Sequence, residues 1–295
     1  MNLRIGIVGA GAIGMLFGGY LSKHGHDITF LVRNKNIEQL YIQQENLSEP
    51  EPIKCQIVSS IATMNQMELI IVAVKYHHLS SLKKDLDSLP REIPLMFIQN
   101  GLLHIQFIDT LKQSNIILGS VLHGATKSNP ATVQHLGVGV TSIGIYKGKW
   151  TSLEQFLHSN IENFPIQYSQ NIYQILFKKA LLNSLINPLT TIAHVQNGEL
   201  IKNESYKEIL RSIYEEILEA FVECKELLSW EEVVSLCQNT EKNYSSMLKD
   251  YQSGRIMEVE TIVGAILREA ENRNKALPIL NTFYLLLKEM NKAGE

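Results

Sequence analysis

The stretch Arg4-Ile-Gly-Ile-Val-Gly9-Ala-Gly11-Ala-Ile-Gly14 decides the fold of the first half of this chain. It reads as a short apolar strand, a glycine-rich turn and the start of a helix. In this G-x-G-x-x-G spacing the first glycine permits a tight turn, the second lets the backbone approach a pyrophosphate, and the third lets the helix pack on the strand. Free N–H groups at the helix start favour an anion. A purely structural glycine turn is the alternative. The residues predicted to bind a dinucleotide here are Gly9, Gly11, Ala12, Ile13 and Gly14.

The second predicted strand, residues 27–32, indicates which dinucleotide is bound. Sites for NAD place a carboxylate about twenty residues after the glycines, where it accepts hydrogen bonds from the ribose 2′-OH. Here the strand leads into Arg33 and Lys35 instead. An arginine can hold a 2′-phosphate through two parallel hydrogen bonds, whereas a carboxylate would repel it. The sequence therefore predicts NADP(H); the alternative is that both cations are solvated loop residues.

Composition limits the classes of partner. The chain has 295 residues and a net charge of −3, which argues against nucleic-acid and anionic-membrane partners. Its three cysteines show no metal-binding spacing, so we expect no metal site and a reducing, cytoplasmic location. The N-terminus enters a strand at once, and no apolar run approaches the roughly 20 residues that cross a bilayer. We expect a protein with neither a signal peptide nor a membrane partner.

Further apolar segments predict that the sheet continues, and two of them end in polar residues. Segment 69–74 is apolar throughout, as a parallel strand covered on both faces should be. Lys75 follows it, and Asn100-Gly101 follows the segment 93–98. Ligands of open α/β sheets bind at the carboxyl ends of strands. We therefore predict Lys75 at a cofactor phosphate and Asn100 at the nicotinamide or substrate; a solvated lysine and an ordinary Asn-Gly turn are the alternatives.

From about residue 171 the sequence changes to helical periodicity, with few glycines and no convincing strand. We predict an α/β, Rossmann-type dinucleotide-binding domain over residues 1–168, followed by an all-α substrate and catalytic domain over residues 169–295.

A polar stripe marks the first helix of the second half. Lys179, Asn183 and Asn187 are spaced four apart and therefore lie on nearly one face. The helix around them is apolar almost all round, which is typical of a buried helix. Buried amides and ammonium groups need partners, and a substrate can supply them; an exposed polar face is the alternative. Downstream, Glu258 and Glu260 both flank an apolar face, and periodicity leaves open which of them faces a site.

Taken in order, these motifs resemble the ketopantoate reductase (2-dehydropantoate 2-reductase) family over nearly the whole chain. The resemblance rests on the following residues: the glycine turn, Lys75, Asn100-Gly101, Lys179-x-x-x-Asn183-x-x-Ile-Asn187-Pro188-Leu-Thr, Asn197-Gly198-Glu-Leu, and Ser245-Ser246-Met-Leu-x-Asp250 with Glu258 downstream. The second-half motifs are long and in family order, which makes the match more specific than the glycine turn.

The resemblance implies an activity and a set of roles. It implies reduction of ketopantoate to pantoate by NADPH, within pantothenate (vitamin B5) and coenzyme A biosynthesis, with Lys179 as general acid and Glu258 as its partner carboxylate. It also implies a 2′-phosphate site at Arg33 and Lys75, and leaves a homodimer open. The residues that it implies at the substrate are Asn100, Asn183, Asn187, Asn197, Asn243 and Ser246, with Asn100 also near the nicotinamide.

The sequence departs from the family pattern at two residues, and three other functions are alternatives. Gln99 stands where the family often has His, and His78 stands where it often has Gln. The second departure leaves some adenosine-phosphate contacts open, but not the cofactor class. Another branched 2-keto acid is an alternative substrate. A reductase of 3-hydroxy acids or glycerol phosphate is disfavoured, because no basic cluster for a substrate phosphate adjoins the asparagine stripe. A non-catalytic NADP(H)-binding regulator should lack the Lys179/Glu258 pair.

Overall fold

The computed structural model describes residues 2–33, 37–44, 49–157 and 161–292. The chain divides into two compact units. The first comprises Met1–Gln99 and His104–Ile175, and the second comprises Asn100–Leu103 and Leu176–Glu295. The short segment that follows Gln99 thus belongs to the second unit. The functional boundary between residues 168 and 169 stays a prediction.

The first unit is an α/β structure. Its strands among the described residues are β1 Arg4–Val8, β2 Asp27–Leu31, β3 Tyr41–Gln43, β4 Glu51–Pro52, β5 Cys55–Val58, β6 Leu69–Val72, β7 Leu95–Phe97, β8 Ile116–Val121, β9 Gly124–Asn129, β10 Thr132–Gly137, β11 Thr141–Lys147 and β12 Ile166–Tyr168. Its helices there are α1 Ala12–Lys23, α2 Leu79–Ser88, α3 His104–Ile108 and α4 Leu153–Leu157.

The main sheet has the order β12-β11-β8-β7-β6-β1-β2-β5. From β5 to β8 all neighbouring strands are parallel, and β11 is antiparallel to β8. The parallel part therefore runs third, second, first, fourth, fifth and sixth strand, which is the order of dinucleotide-binding doubly wound sheets. Its central strands are apolar because both faces are covered; Ile70 and Ile71 of β6 have no exposed surface. The strand order reverses between β1 and β6, where such sheets bind their ligands.

A second sheet, β4-β3-β10-β9, covers the other side of α1. The consecutive glycines Gly18 and Gly19 give the helix room for both neighbours. A Cβ at Gly18 would lie 2.3 Å from Phe30 of β2, and one at Gly19 would lie 2.6 Å from Ile42 of β3. The Tyr20 hydroxyl lies 2.7 Å from Nδ1 of His135 on β10. The first helix is therefore fixed between the two sheets.

The second unit is helical, as the sequence predicts. Its described helices are α5 Ile172–Ala193, whose first turn belongs to the first unit, α6 Glu199–Lys202, α7 Glu204–Ala220, α8 Trp230–Asn239, α9 Ser246–Gln252, α10 Ala265–Asn272 and α11 Pro278–Lys292. A π-helical turn, Glu260–Gly264, leads into α10. None of the helices in the described ranges has the length and apolar composition that crossing a membrane requires.

Candidate active site

The glycine turn joins β1 to α1 with the geometry that a dinucleotide requires. Gly9 has a φ of +106°, and a Cβ there would lie 2.7 Å from Val74. A Cβ at Gly14 would lie 2.2 Å from the Gly9 carbonyl oxygen, so the helix packs directly on the turn. Above Gly11, by contrast, the nearest atom to a Cβ would be 3.8 Å away. No described side chain caps the start of α1, so its N–H groups face this space and fit an anionic pyrophosphate.

A basic cluster lies at the carboxyl ends of β2 and β6. Arg33 is exposed, and its Nη2 donates to Ser81 Oγ at 3.1 Å. Burial lowers the pKa of His78, and the charges of Arg33 and Lys75 lower it further. The same causes, with His78 itself, lower the pKa of His77. Four basic side chains thus meet where an NADP 2′-phosphate is expected. Lys35 lies outside the described residues.

Sequence reasoning missed two residues of this unit, Ser81 and Lys127. Ser81 supports Arg33 from the start of α2, and its Oγ donates to the His78 carbonyl at 2.8 Å. Lys127 of β9 donates from Nζ to the Ala10 carbonyl at 3.1 Å, inside the glycine turn. Neither belongs to the motif, and Lys127 is 117 residues from Ala10. Only the pairing of the second sheet reveals it.

The side chain of Gln99 joins the ends of two strands. Its Nε2 donates to the carbonyls of Val72 at 2.8 Å and Val74 at 2.9 Å. The end of β6 is thereby held to the end of β7. An amide suits this position because it donates two hydrogen bonds from one nitrogen.

In the second unit, the segment Asn100–Leu103 is fixed against the π-helical turn Glu260–Gly264, which begins two residues after Glu258. The Leu102 N–H donates to the Thr261 carbonyl at 3.0 Å. Gly101 has a φ of +76°, and a Cβ there would lie 2.0 Å from the same carbonyl oxygen. Thr261 Oγ1 in turn donates to the Glu258 carbonyl at 3.1 Å. The Asn-Gly pair is therefore more than a turn, because only glycine allows this close approach.

A chain of amides connects this segment to α5. Asn183 Nδ2 donates to Asn100 Oδ1 at 3.2 Å, and Asn100 Nδ2 donates to Glu258 Oε2 at 3.3 Å. All three side chains are partly buried. Because a carboxylate only accepts hydrogen bonds, the pair with Glu258 fixes which way the Asn100 amide points.

The two glutamates have different hydrogen-bond partners. Glu260 accepts from Tyr284 Oη at 2.6 Å and from Arg268 Nη2 at 3.2 Å, so its carboxylate holds α10 and α11. Glu258 instead accepts from Asn100. Glu258 is therefore the carboxylate of the amide cluster.

Lys179 lies one turn before Asn183 on α5 and is partly buried. Burial lowers the pKa of its ammonium to about 8, while the charge of Glu258 acts in the opposite direction. A lysine with this pKa is mostly protonated at neutral pH yet releases its proton far more readily than a surface lysine. Such a group is suited to general acid catalysis.

Of the remaining predicted substrate residues, Asn197, Asn243 and Ser246 form a second group near the start of α9, whereas Asn187 lies on α5. Asn187 is 4% exposed, and its Nδ2 has no partner among the described residues. Asn197 donates from Nδ2 to Thr240 Oγ1 at 2.9 Å and from its backbone N–H to the Asn243 carbonyl at 3.0 Å. Asn243 is exposed, which leaves its side chain accessible.

The two consecutive serines at the start of α9 have different environments. Ser245 is buried; its Oγ accepts from the Leu248 N–H at 3.2 Å and from Thr190 Oγ1 of α5 at 2.9 Å. It is the helix cap that ties this group to α5. Ser246 is exposed. Its hydroxyl is the one available to a ligand, and its substrate role stays a prediction.

Comparison with known proteins connects both units to one family. Residues 5–148 match the family described as Ketopantoate reductase PanE/ApbA, and residues 171–291 match its C-terminal family. A 2-dehydropantoate 2-reductase of Listeria monocytogenes is 33% identical over 296 residues, covering 97% of this chain and 96% of the relative. That of Bacillus subtilis (strain 168) is 31% identical over 281 residues, covering 91% of each chain.

A solved structure agrees with these sequence matches. The crystal structure of the "Probable 2-dehydropantoate 2-reductase panE" of Bacillus subtilis superposes with a TM-score of 0.86 at 29% identity, covering 98% of this chain and 100% of that one. The glycine turn, the strand order and the helical second unit are thus parts of one known architecture. The chain belongs to the ketopantoate reductase family.

Proposed function

We propose that this protein reduces ketopantoate to pantoate with NADPH. The observation that carries the proposal is the hydrogen-bonded set Asn183, Asn100 and Glu258. Lys179 lies one turn before Asn183 on α5, and its pKa, which burial lowers, is influenced by the charge of Glu258. The membership of the chain in the ketopantoate reductase family supports the same activity. Both the Lys179 and Glu258 side chains are present, which disfavours a non-catalytic regulator.

The cofactor assignment to NADP(H) rests on the first unit. The open space above Gly11 and the uncapped start of α1 fit a dinucleotide pyrophosphate. Arg33 and Lys75 supply positive charge for a 2′-phosphate, and their joint effect on the pKa of His77 and His78 supports a shared position. When bound, the nicotinamide supplies the hydride that reduces the C2 carbonyl.

Lys179 is proposed to act as the general acid. Its Nζ donates a proton to the carbonyl oxygen of ketopantoate as negative charge develops there, which gives the hydroxyl of pantoate. With a pKa of about 8, roughly nine-tenths of the lysine is protonated at pH 7. Glu258 maintains that fraction, because its charge opposes the effect of burial.

The surrounding asparagines and Ser246 are proposed to bind the substrate without changing the charge of the site. Ketopantoate carries a carboxylate and a hydroxyl, for which amides and hydroxyls offer both donors and acceptors. A second cation beside the substrate would lower the pKa of Lys179 further and reduce its protonated fraction. Neutral donors avoid this cost.

Absorbance loss of NADPH or NADH with a panel of 2-keto acids tests the proposal. We expect the highest kcat/KM with ketopantoate and NADPH, and lower values with other branched 2-keto acids. Equal kcat/KM values across the panel would contradict the substrate assignment, and equal rates with NADH would contradict the cofactor assignment. A cytoplasmic location and a homodimer stay predictions, the latter for sedimentation analysis.

A further inference from the structure

Lys127 brings a positive charge to the glycine turn from outside the nucleotide-binding motif. It lies on β9, an edge strand of the second sheet, and its Nζ donates to the Ala10 carbonyl at 3.1 Å. Ala10 is the residue between the first two glycines. The second sheet is fixed to α1 through Tyr20 and His135. The lysine is therefore carried by a strand that packs on the helix whose first turn faces the cofactor.

The Lys127 ammonium can donate hydrogen bonds beyond the one to Ala10. An ammonium has three donors, and the Ala10 carbonyl takes one of them. Lys127 is an exposed residue, but partial burial of its ammonium lowers the pKa of Lys127, and no neighbouring charge among the described groups offsets that effect. A charged group that is partly removed from water without a compensating anion is stabilised when an anion binds beside it. The N–H groups at the start of α1 favour an anion in the same region.

We propose that Lys127 is a further cofactor-binding residue, whose ammonium pairs with the diphosphate of the dinucleotide. This inference rests on the proposed function, because it assumes that a nicotinamide dinucleotide binds at the glycine turn. Lys127 would contact the diphosphate, whereas Arg33 and Lys75 are proposed to contact the 2′-phosphate. The diphosphate is common to NADPH and NADH, whereas the 2′-phosphate is present only in NADPH.

Because the two cofactors differ in the 2′-phosphate but share the diphosphate, the experiment compares them. Calorimetric titration measures the dissociation constants of NADPH and NADH. The variants are Lys127→Ala, Lys127→Arg, Arg33→Ala and Lys147→Ala. Lys147 is the matched control, because it is an exposed lysine of the main sheet, where it pairs with Ile116 at the amino end of β8. Circular dichroism melting checks that each variant folds.

We expect Lys127→Ala to raise the dissociation constants of NADPH and NADH by the same factor. That factor should be about 5- to 20-fold, as for one charge-assisted contact at a partly exposed site. Lys127→Arg should retain most of the affinity and Lys147→Ala all of it. Arg33→Ala should raise the dissociation constant of NADPH and leave that of NADH unchanged. Unchanged affinity in Lys127→Ala would overturn the inference while leaving the proposed function intact, and so would a loss confined to NADPH. If the unmodified protein binds neither dinucleotide, the proposed function itself fails.

Discussion

The basic cluster of the first unit and the Lys179 cluster of the second use positive charge in opposite ways. The first gathers Arg33 and Lys75 with two histidines, and its arginine is exposed. The second contains Lys179, which is partly buried and lies within the electrostatic influence of Glu258, with a pKa of about 8. The guanidinium of an exposed arginine is always charged and so suits the binding of an anion. A partly buried ammonium of lowered pKa can release its proton and so suits general acid catalysis.

Removal of Lys179 should give the largest effect. We expect Lys179→Ala to lower kcat and kcat/KM together by about 10²- to 10⁴-fold, the usual contribution of a general acid. NADPH affinity should change little, because the proposed cofactor groups belong to the first unit. Steady-state kinetics and an NADPH titration measure the two quantities. A variant with near-normal kcat would remove Lys179 from the chemistry.

Displacement of Asn100 should have the next largest effect. In Gly101→Ala the new Cβ would lie 2.0 Å from the Thr261 carbonyl oxygen, at a φ of +76°. We expect the segment to shift, kcat/KM to fall about 100-fold and the free energy of unfolding to fall by about 1–3 kcal/mol.

Gly254→Ala provides the control for that variant. Gly254 also has a positive φ, +62°, but no atom lies within 4 Å of its Cβ position. This variant should show the backbone strain without the loss of kcat/KM. An equal loss of kcat/KM in both variants would mean that strain alone, and not the position of Asn100, matters.

A change in the basic cluster of the first unit should affect the binding of NADPH and not the rate of the chemical step. We expect Arg33→Ala to raise the KM for NADPH about tenfold, since one charge-assisted contact to the 2′-phosphate is lost, and to leave kcat and the KM for NADH nearly unchanged. Kinetics with each cofactor measure this. A parallel rise in the KM for NADH would place Arg33 elsewhere on the dinucleotide.

The proposed role of Lys179 requires that burial lowers the pKa of basic groups in this protein. His104, which lies outside both clusters, tests this effect separately. His104 has no exposed surface, and neither ring nitrogen has a hydrogen-bond partner among the described residues. Burial lowers its pKa to about 4, against a usual value of 6.5. Below pH 6.5 the unfolded chain therefore binds a proton that the folded chain does not, and stability falls until about pH 4.

In His104→Leu this acid-induced loss should be smaller by up to about 3 kcal/mol, with little effect on activity at pH 7. Urea unfolding of both proteins between pH 7 and pH 4.5 measures the difference. The same pH dependence in both proteins would show that His104 is protonated equally in the folded and unfolded states.

The two clusters also differ in how far the sequence alone could predict them. The glycine turn is local: its spacing predicted the strand, turn and helix that the structure contains. The second cluster joins Asn183 to Asn100 across 83 residues and Asn100 to Glu258 across 158. Helical periodicity left Glu258 and Glu260 equivalent, and the family resemblance favoured Glu258. In the structure Glu258 accepts from Asn100, whereas Glu260 accepts from residues of α10 and α11. Neither a motif nor helical periodicity indicated Lys127, because its strand β9 is largely polar and its contact with Ala10 spans 117 residues.

The pH dependence of kcat/KM for ketopantoate, with NADPH saturating, tests the role of Lys179 most directly. Because the acid must be protonated, we expect kcat/KM to fall as pH rises through about 8. In Lys179→Arg, whose guanidinium stays protonated, the residual activity should show no such fall up to pH 10. A flat profile in the unmodified protein, or the same alkaline fall in Lys179→Arg, would contradict the assignment of Lys179 as the proton donor.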